Sequence, residues 1–208
     1  MKTKVALIVC MILGVAYHAH SQAQVAIGIK AGPNFANIDT KASAVENYKN
    51  RAGFHGGAFL LVKAGKIGIQ PEVIFSQQGS KVHVNSQKFE SNFSYVNIPI
   101  ILKLYTIAGI NIQAGPQFGF VTNAEAPVAE QLGGTPTDVQ DVKDRMKSSD
   151  FTLGLGLGWD LPFGLTIDAR YNLGLSNIYD NAPSPATDDA RNQVFQVSLG
   201  YKLIKLGK

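Results

Sequence analysis

Residues 150–176, DFTLGLGLGWDLPFGLTIDARYNLGLS, alternate between two faces with a regularity that few folds accommodate. Phe151, Leu153, Leu155, Leu157 and Trp159 share one parity; Thr152, Gly154, Gly156, Gly158 and Asp160 share the other. After Leu161-Pro162-Phe163-Gly164 the pattern resumes. Leu165, Ile167, Ala169, Tyr171, Leu173 and Leu175 then oppose Thr166, Asp168, Arg170, Asn172 and Gly174. A period of two is the signature of a strand, and each arm reaches the roughly 9–11 residues that a tilted strand needs to cross a bilayer. One face is apolar and carries aromatics near its ends, while the other is glycine or polar. That combination describes a transmembrane β-hairpin.

The N-terminus supplies an export address. Lys2 and Lys4 precede a 13-residue apolar run, 5–17, and the small residues Ala19, Ser21 and Ala23 follow. The run is too short for a spanning helix, which takes about 20 residues. Residues 1–21 therefore read as a secretory signal peptide, cleaved after Ser21 or Ala23, with a barrel domain over 24–208. Cys10 lies inside the apolar run and leaves with it, so the mature chain has no thiol and no disulfide framework. The formal net charge of +4 includes Lys2 and Lys4, which leaves +2 on the mature chain. There is no basic cluster interleaved with aromatics, so nucleic acid is not an expected partner.

The hairpin's parity extends through the chain. Alternating segments are expected at 25–38, 52–63, 67–77, 93–105 and 109–121, then the two arms of the hairpin, then 191–203. Short turns at 64–66, 106–108 and 161–164 contrast with long polar loops at 40–50, 78–92, 122–149 and 177–190. Alternation of short turns and long loops is what bacterial barrels show, with the turns periplasmic. The expected fold is all-β: an eight-stranded antiparallel up-and-down transmembrane β-barrel in the outer membrane, with both termini periplasmic. A soluble calycin-like barrel is the alternative, and it would reverse the parity. Charge offers a test, because a lipid-facing Lys or Arg at the bilayer midplane costs about 2–4 kcal/mol. Lys30, Glu72, Lys103, Asp168, Arg170 and Lys202 all fall on the polar parity. Lys63 shares its parity with Phe59 and Leu61, which leaves the facing of segment 52–63 open. Pro71 and Pro99 supply no ladder donor, so weakened pairing or bulges are expected beside them.

Four motifs taken in order resemble one family. GIKAGPNFAN at 28–37, PEVIFSQQG at 71–79, YVNIP at 95–99 and YNLGLSNI at 171–178 are similar to the PorT-like outer-membrane β-barrel family of Bacteroidetes. The resemblance implies an eight-stranded barrel. The family's founding member serves a protein-secretion machine, but nothing in these motifs carries that role to this chain.

Chemistry is sparse. Gly154, Gly156 and Gly158 keep period two and lead into Trp159-Asp160-Leu161-Pro162, which cannot open a helix, so they are not the dinucleotide fingerprint. On an inner face they make room for large side chains from strands opposite. An eight-stranded interior is just wide enough to be filled by side chains. Charges enclosed there need partners, so a luminal network is expected in which Arg170 bonds Glu72, with Asp168 and Lys103 nearby. No cofactor or metal site is expected. His55 and His83 are placed near the loop-side rim, with Asp39, Glu46 and Ser80 within reach, but no spacing identifies a triad, and an enzyme is not expected. The loop at 122–149, with Glu125, Glu130, Asp138, Asp141, Lys143, Asp144 and Arg145, is the candidate interaction surface.

The function read from the sequence is that of a side-chain-filled barrel acting structurally or through its surface loops, as a binding or assembly-accessory protein. The alternatives are a narrow channel or transporter and a secretion-system accessory. Expected partners are outer-membrane lipid, a protein engaged through extracellular loops, and the barrel-assembly machinery during biogenesis.

Overall fold

The computed structural model describes residues 23–39, 48–78, 80–84, 87–90, 92–128, 138–141, 149–175 and 191–207. The expected signal peptide lies outside the described residues. Among the described residues there are eleven strands: β1 (Ala23–Asp39), β2 (Tyr48–Ala64), β3 (Ile67–Gln78), β4 (Ser80–Val84), β5 (Gln87–Glu90), β6 (Asn92–Tyr105), β7 (Ile110–Val128), β8 (Asp138–Asp141), β9 (Ser149–Asp160), β10 (Leu165–Gly174) and β11 (Arg191–Leu206). Eight of them, β1, β2, β3, β6, β7, β9, β10 and β11, pair antiparallel with their sequence neighbours in the ring. Pairing of β1 with both β2 and β11 closes the sheet. Closure leaves no long edge to satisfy, the condition for crossing lipid with strands.

Tight turns join β2 to β3, β6 to β7 and β9 to β10, all at one end of the barrel, the turn end. Gly65, Gly109 and Gly164 supply the positive φ these reversals need. β1 begins and β11 ends there as well, with Val25 opposite Leu206. The opposite, loop end extends further than alternation predicts. β2 starts at Tyr48, β4 and β5 form a hairpin within the expected loop 78–92, and β7 runs to Val128 and pairs with β8 inside the expected loop 122–149. Apolar alternation stops where lipid stops, whereas a backbone ladder can continue into water.

The facing is decided by burial. Leu155, Leu157, Ile167 and Leu199 are exposed on the outer wall, and Glu72 and Arg170 are buried inside. That rules out the reversed parity of a soluble calycin-like barrel. Aromatics ring the wall at two heights. Trp159 and Tyr201 mark the turn end, while Phe118 with Phe151 (centroids 5.3 Å apart) and Phe35 with Phe195 (6.4 Å) mark the loop side.

β2 departs from the expected pattern. Phe59 and Leu61 point inward and form an apolar cluster with Ala26, and Lys63 follows them toward the mouth of the lumen. Gly28 is paired with Phe59, and a Cβ at Gly28 would collide with the phenyl ring. The inward aromatic thus occupies the space the glycine leaves. Beside Pro71 the β2–β3 ladder breaks between Phe59↔Glu72 and Val62↔Ile69, and beside Pro99 the β6–β7 ladder breaks between Pro99↔Gln117 and Leu102↔Ala114. Register is unchanged across both gaps, so the prolines weaken pairing without shifting it. The register shifts fall elsewhere, at Ile27/Gly28 and at Ser94/Tyr95.

Candidate functional site

Among the described residues, buried charge concentrates in the lumen. Because strand charges must avoid lipid, they converge on the axis, where low dielectric makes pairing obligatory. Nearest the turn end, Asp160 at the end of β9 gathers four donors. Lys202 Nζ donates to it at 2.8 Å, Tyr105 Oη at 2.8 Å, Lys103 Nζ at 3.2 Å and Asn111 Nδ2 at 3.3 Å. A second tier lies above. Arg170 donates to both oxygens of Glu72, at 2.9 and 3.1 Å, in the bidentate geometry that makes such pairs strong. Lys30 bridges Glu72 at 3.4 Å and Asp168 at 3.0 Å, while Gln70 Nε2 donates to Glu72 at 2.8 Å. Gln113 joins the pieces: its amide nitrogen donates to Asp168 and its oxygen accepts from Arg170 at 3.0 Å. Lys103 links the tiers, 3.5 Å from Asp168. All of these residues are buried.

Toward the loop end the lining is mostly uncharged, apart from Asp150, which is buried near the start of β9. Asn34 donates to Ser76 at 2.8 Å, Asn172 donates to Gln196 at 2.8 Å, and His55 Nε2 lies 2.8 Å from Ser198 Oγ. Above them Ala36, Val121 and Val194 face inward, Ile74 is buried between Glu72 and Ser76 on β3, and at the turn end Ala26, Phe59 and Leu61 occupy the β1–β2 side. Buried side chains thus line the described barrel along its length, as an eight-stranded interior allows.

The glycines of β9 contribute differently from expectation. A Cβ on Gly158 would meet Asn111 and Asp168 at 2.6 Å, and both belong to the adjoining strands β7 and β10 rather than to strands opposite. Gly154 gives way to Asn172 and Arg170 in the same manner. Gly156 is set apart, since a Cβ there would press on the backbone of Ala169 and Arg170.

Closed antiparallel strands, a lipid-compatible wall and a polar filling frame the comparison with known proteins. Residues 20–180 match the family described as outer membrane protein beta-barrel domain. The chain belongs to that family. It is accordingly an outer-membrane barrel protein. Among solved structures, Neisserial surface protein A (NspA) is similar at 10% identity and a TM-score of 0.53, covering 85% of this chain and 97% of that one. Ail, the attachment invasion locus protein of Yersinia pestis, is similar at 15% identity and a TM-score of 0.49, covering 89% and 99%. No curated protein matches the sequence. At these identities the likeness to NspA concerns the fold.

Glu72, Lys103, Asp168 and Arg170, named from parity alone, are brought together in the barrel. Lys30, Asp160, Lys202, Gln113 and Tyr105 were not foreseen as their partners, although each charged one lay on the polar parity. His55 is buried in the lumen against Ser198 and does not stand at the rim. His83 lies on β4, apart from it. Asp39 and Ser80 are strand-end positions on β1 and β4, and Glu46 lies outside the described residues. Of the candidate interaction residues, Glu125 sits on β7 opposite Asp141 of β8, and Asp138 pairs with Val128. Glu130, Lys143, Asp144 and Arg145 lie outside the described residues.

Proposed function

We propose that this family member is a closed, non-conducting outer-membrane barrel of the PorT-like type. In this reading it is exported by a cleaved signal, has both termini in the periplasm, and acts as a scaffold whose loop end binds a protein partner or serves a larger assembly. The observation that carries the reading is the pair of buried ionic tiers around Asp160 and Glu72, stacked along the lumen. A solute path would have to part at least two sets of buried ion pairs, each costly to break. The absence of catalysis is part of the proposal. The His55–Ser198 pair is enclosed, and His55 Nδ1 has no hydrogen-bond partner among the described residues to orient the ring.

Reconstitution in planar bilayers tests the closed lumen. The expected result is no unitary conductance above the lipid baseline, before and after deletion of 122–149. Conductance that survives the deletion would establish the channel instead. Affinity purification from the native envelope tests the loop, with a defined partner expected on the intact chain and lost on deleting 122–149.

A further inference from the structure

We propose that the turn end of the barrel holds one anionic phospholipid, its phosphate among Lys63, Lys202 and Lys205 and one acyl chain in a furrow on the outer wall beside Trp159. A cavity of about 380 Å³ opens at this end, lined by these three lysines together with Gln24, Tyr105 and Asp160 among others. Asp160 is the only carboxylate in the lining, and its oxygens already accept from Lys202, Lys103, Tyr105 and Asn111. Lys63 and Lys205 have no carboxylate within salt-bridge distance among the described residues. Lys63 Nζ rests over the Tyr105 ring, 4.1 Å from its centroid, and Lys205 Nζ donates to the Pro162 carbonyl at 3.0 Å. Three ammonium groups facing one fully engaged carboxylate form a site for an added anion, and lysine binds phosphate as a point charge.

The second observation identifies the anion as part of a lipid. A furrow of about 310 Å³, almost wholly apolar, runs up the outer wall between Ile110, Leu157, Trp159 and Ile167, and narrow residues, Gly158 and Ala169, form its floor. Trp159 lines both spaces, and Ala108 and Gly109 in the cavity lead directly to Ile110 in the furrow. The indole is fixed by its Nε1 donating to the Ala108 carbonyl at 3.0 Å. Free phosphate would use only the cavity. A molecule with a phosphate and an attached hydrocarbon chain uses both, and an interfacial tryptophan marks the depth at which headgroup and chain meet. A zwitterionic headgroup would carry its own ammonium toward three lysines, so a net negative lipid such as phosphatidylglycerol is the fitting class.

The inference rests on the chain being an outer-membrane barrel whose turn end faces the phospholipid leaflet. The binding assay itself is independent of orientation, because both leaflets of a nanodisc are alike. The full chain in nanodiscs of equimolar phosphatidylglycerol and phosphatidylcholine, with matched acyl chains, would be released into detergent and weighed by native mass spectrometry. One phosphatidylglycerol should be retained per barrel, at least fivefold over phosphatidylcholine. Lys63→Gln/Lys205→Gln should abolish that preference, and Ala169→Phe should cut retention severalfold by filling the furrow. Heat-modifiable gel migration confirms that each variant is folded, and Lys63 and Lys205 lie outside the ionic tiers. Equal retention of the two lipids by the wild-type chain overturns the site. Glycerol phosphate or inorganic phosphate binding as tightly as the lipid, with Ala169→Phe indifferent, reduces it to a phosphate site and overturns the lipid. Retention of lipid A in preference to phosphatidylglycerol, in a mixture containing both, would assign the end to the other leaflet and also overturn it.

Discussion

Glu72 holds the middle of the barrel together. It accepts from Arg170 twice, from Lys30 and from Gln70, and it is almost completely enclosed. Removing one member of a buried pair leaves its partner charged and unsolvated, at a cost of about 3–5 kcal/mol. Glu72→Ala should therefore lower stability by about that amount, read as a reduced urea midpoint in vesicles by the fluorescence of Trp159, the only tryptophan. Replacing the bidentate pair together, Glu72→Met with Arg170→Met, should cost less than Glu72→Ala alone, because Lys30 keeps Asp168 at 3.0 Å and no cation is stranded. Equal losses in the two variants would show that the pair is not coupled. Parity alone named Glu72, Lys103, Asp168 and Arg170, because position along a strand tells which side a charge occupies. It does not tell height. Lys30 meets Asp168 across 138 residues of sequence only because closure and the shift at Ile27/Gly28 bring β1 level with β10. Asp160 reads in sequence only as the last polar-parity residue of its arm; its four donors come from three other strands.

At the scale of the strand, the strict alternation of β9 and β10 identified the wall, and the same rule failed on β2. An apolar parity is outward-facing only if the lumen is polar at that height. Where Ala26, Phe59 and Leu61 line the interior, both faces of β2 are apolar and the alternation carries no sign. The neighbour could have decided it. Gly28 opposite Phe59 and Gly68 in contact range of Leu61 are small residues on the inner parity, which only inward side chains would fill. Strand length was legible only within the membrane, since β7 continues to Val128 on backbone pairing with β8. The wall also sets a graded penalty. Leu155 lies midway along the apolar face of β9, and Leu203 lies at the turn end; both are exposed outward. Leu155→Lys should cost about 2–4 kcal/mol and Leu203→Lys about 0–1 kcal/mol, the gradient expected between midplane and interface. Urea unfolding in vesicles of fixed thickness measures both. Equal penalties would mean that the bilayer is not centred on Leu155.

For the whole molecule, the open variable is which end meets the cell exterior. The two ends differ physically. The turn end has three tight reversals and the three-lysine mouth, whereas the loop end carries the extensions β4, β5 and β8 and the longest connections in sequence. A barrel is inserted from the periplasm, so the end that must traverse the bilayer comes to lie outside. Long segments there can carry function, while short turns remain behind. Beyond Cys10 the sequence has no cysteine, which makes single-cysteine labelling clean. Ser184→Cys, in the segment between β10 and β11, should react with a membrane-impermeant maleimide on intact cells. Lys66→Cys, in the β2–β3 turn, should react only after the outer membrane is opened. The reverse pattern would turn the barrel over. It would place Lys63, Lys202 and Lys205 among lipid A phosphates and confine the 122–149 segment to periplasmic partners, so this one measurement decides both the leaflet that the basic mouth reads and the side on which a partner should be sought.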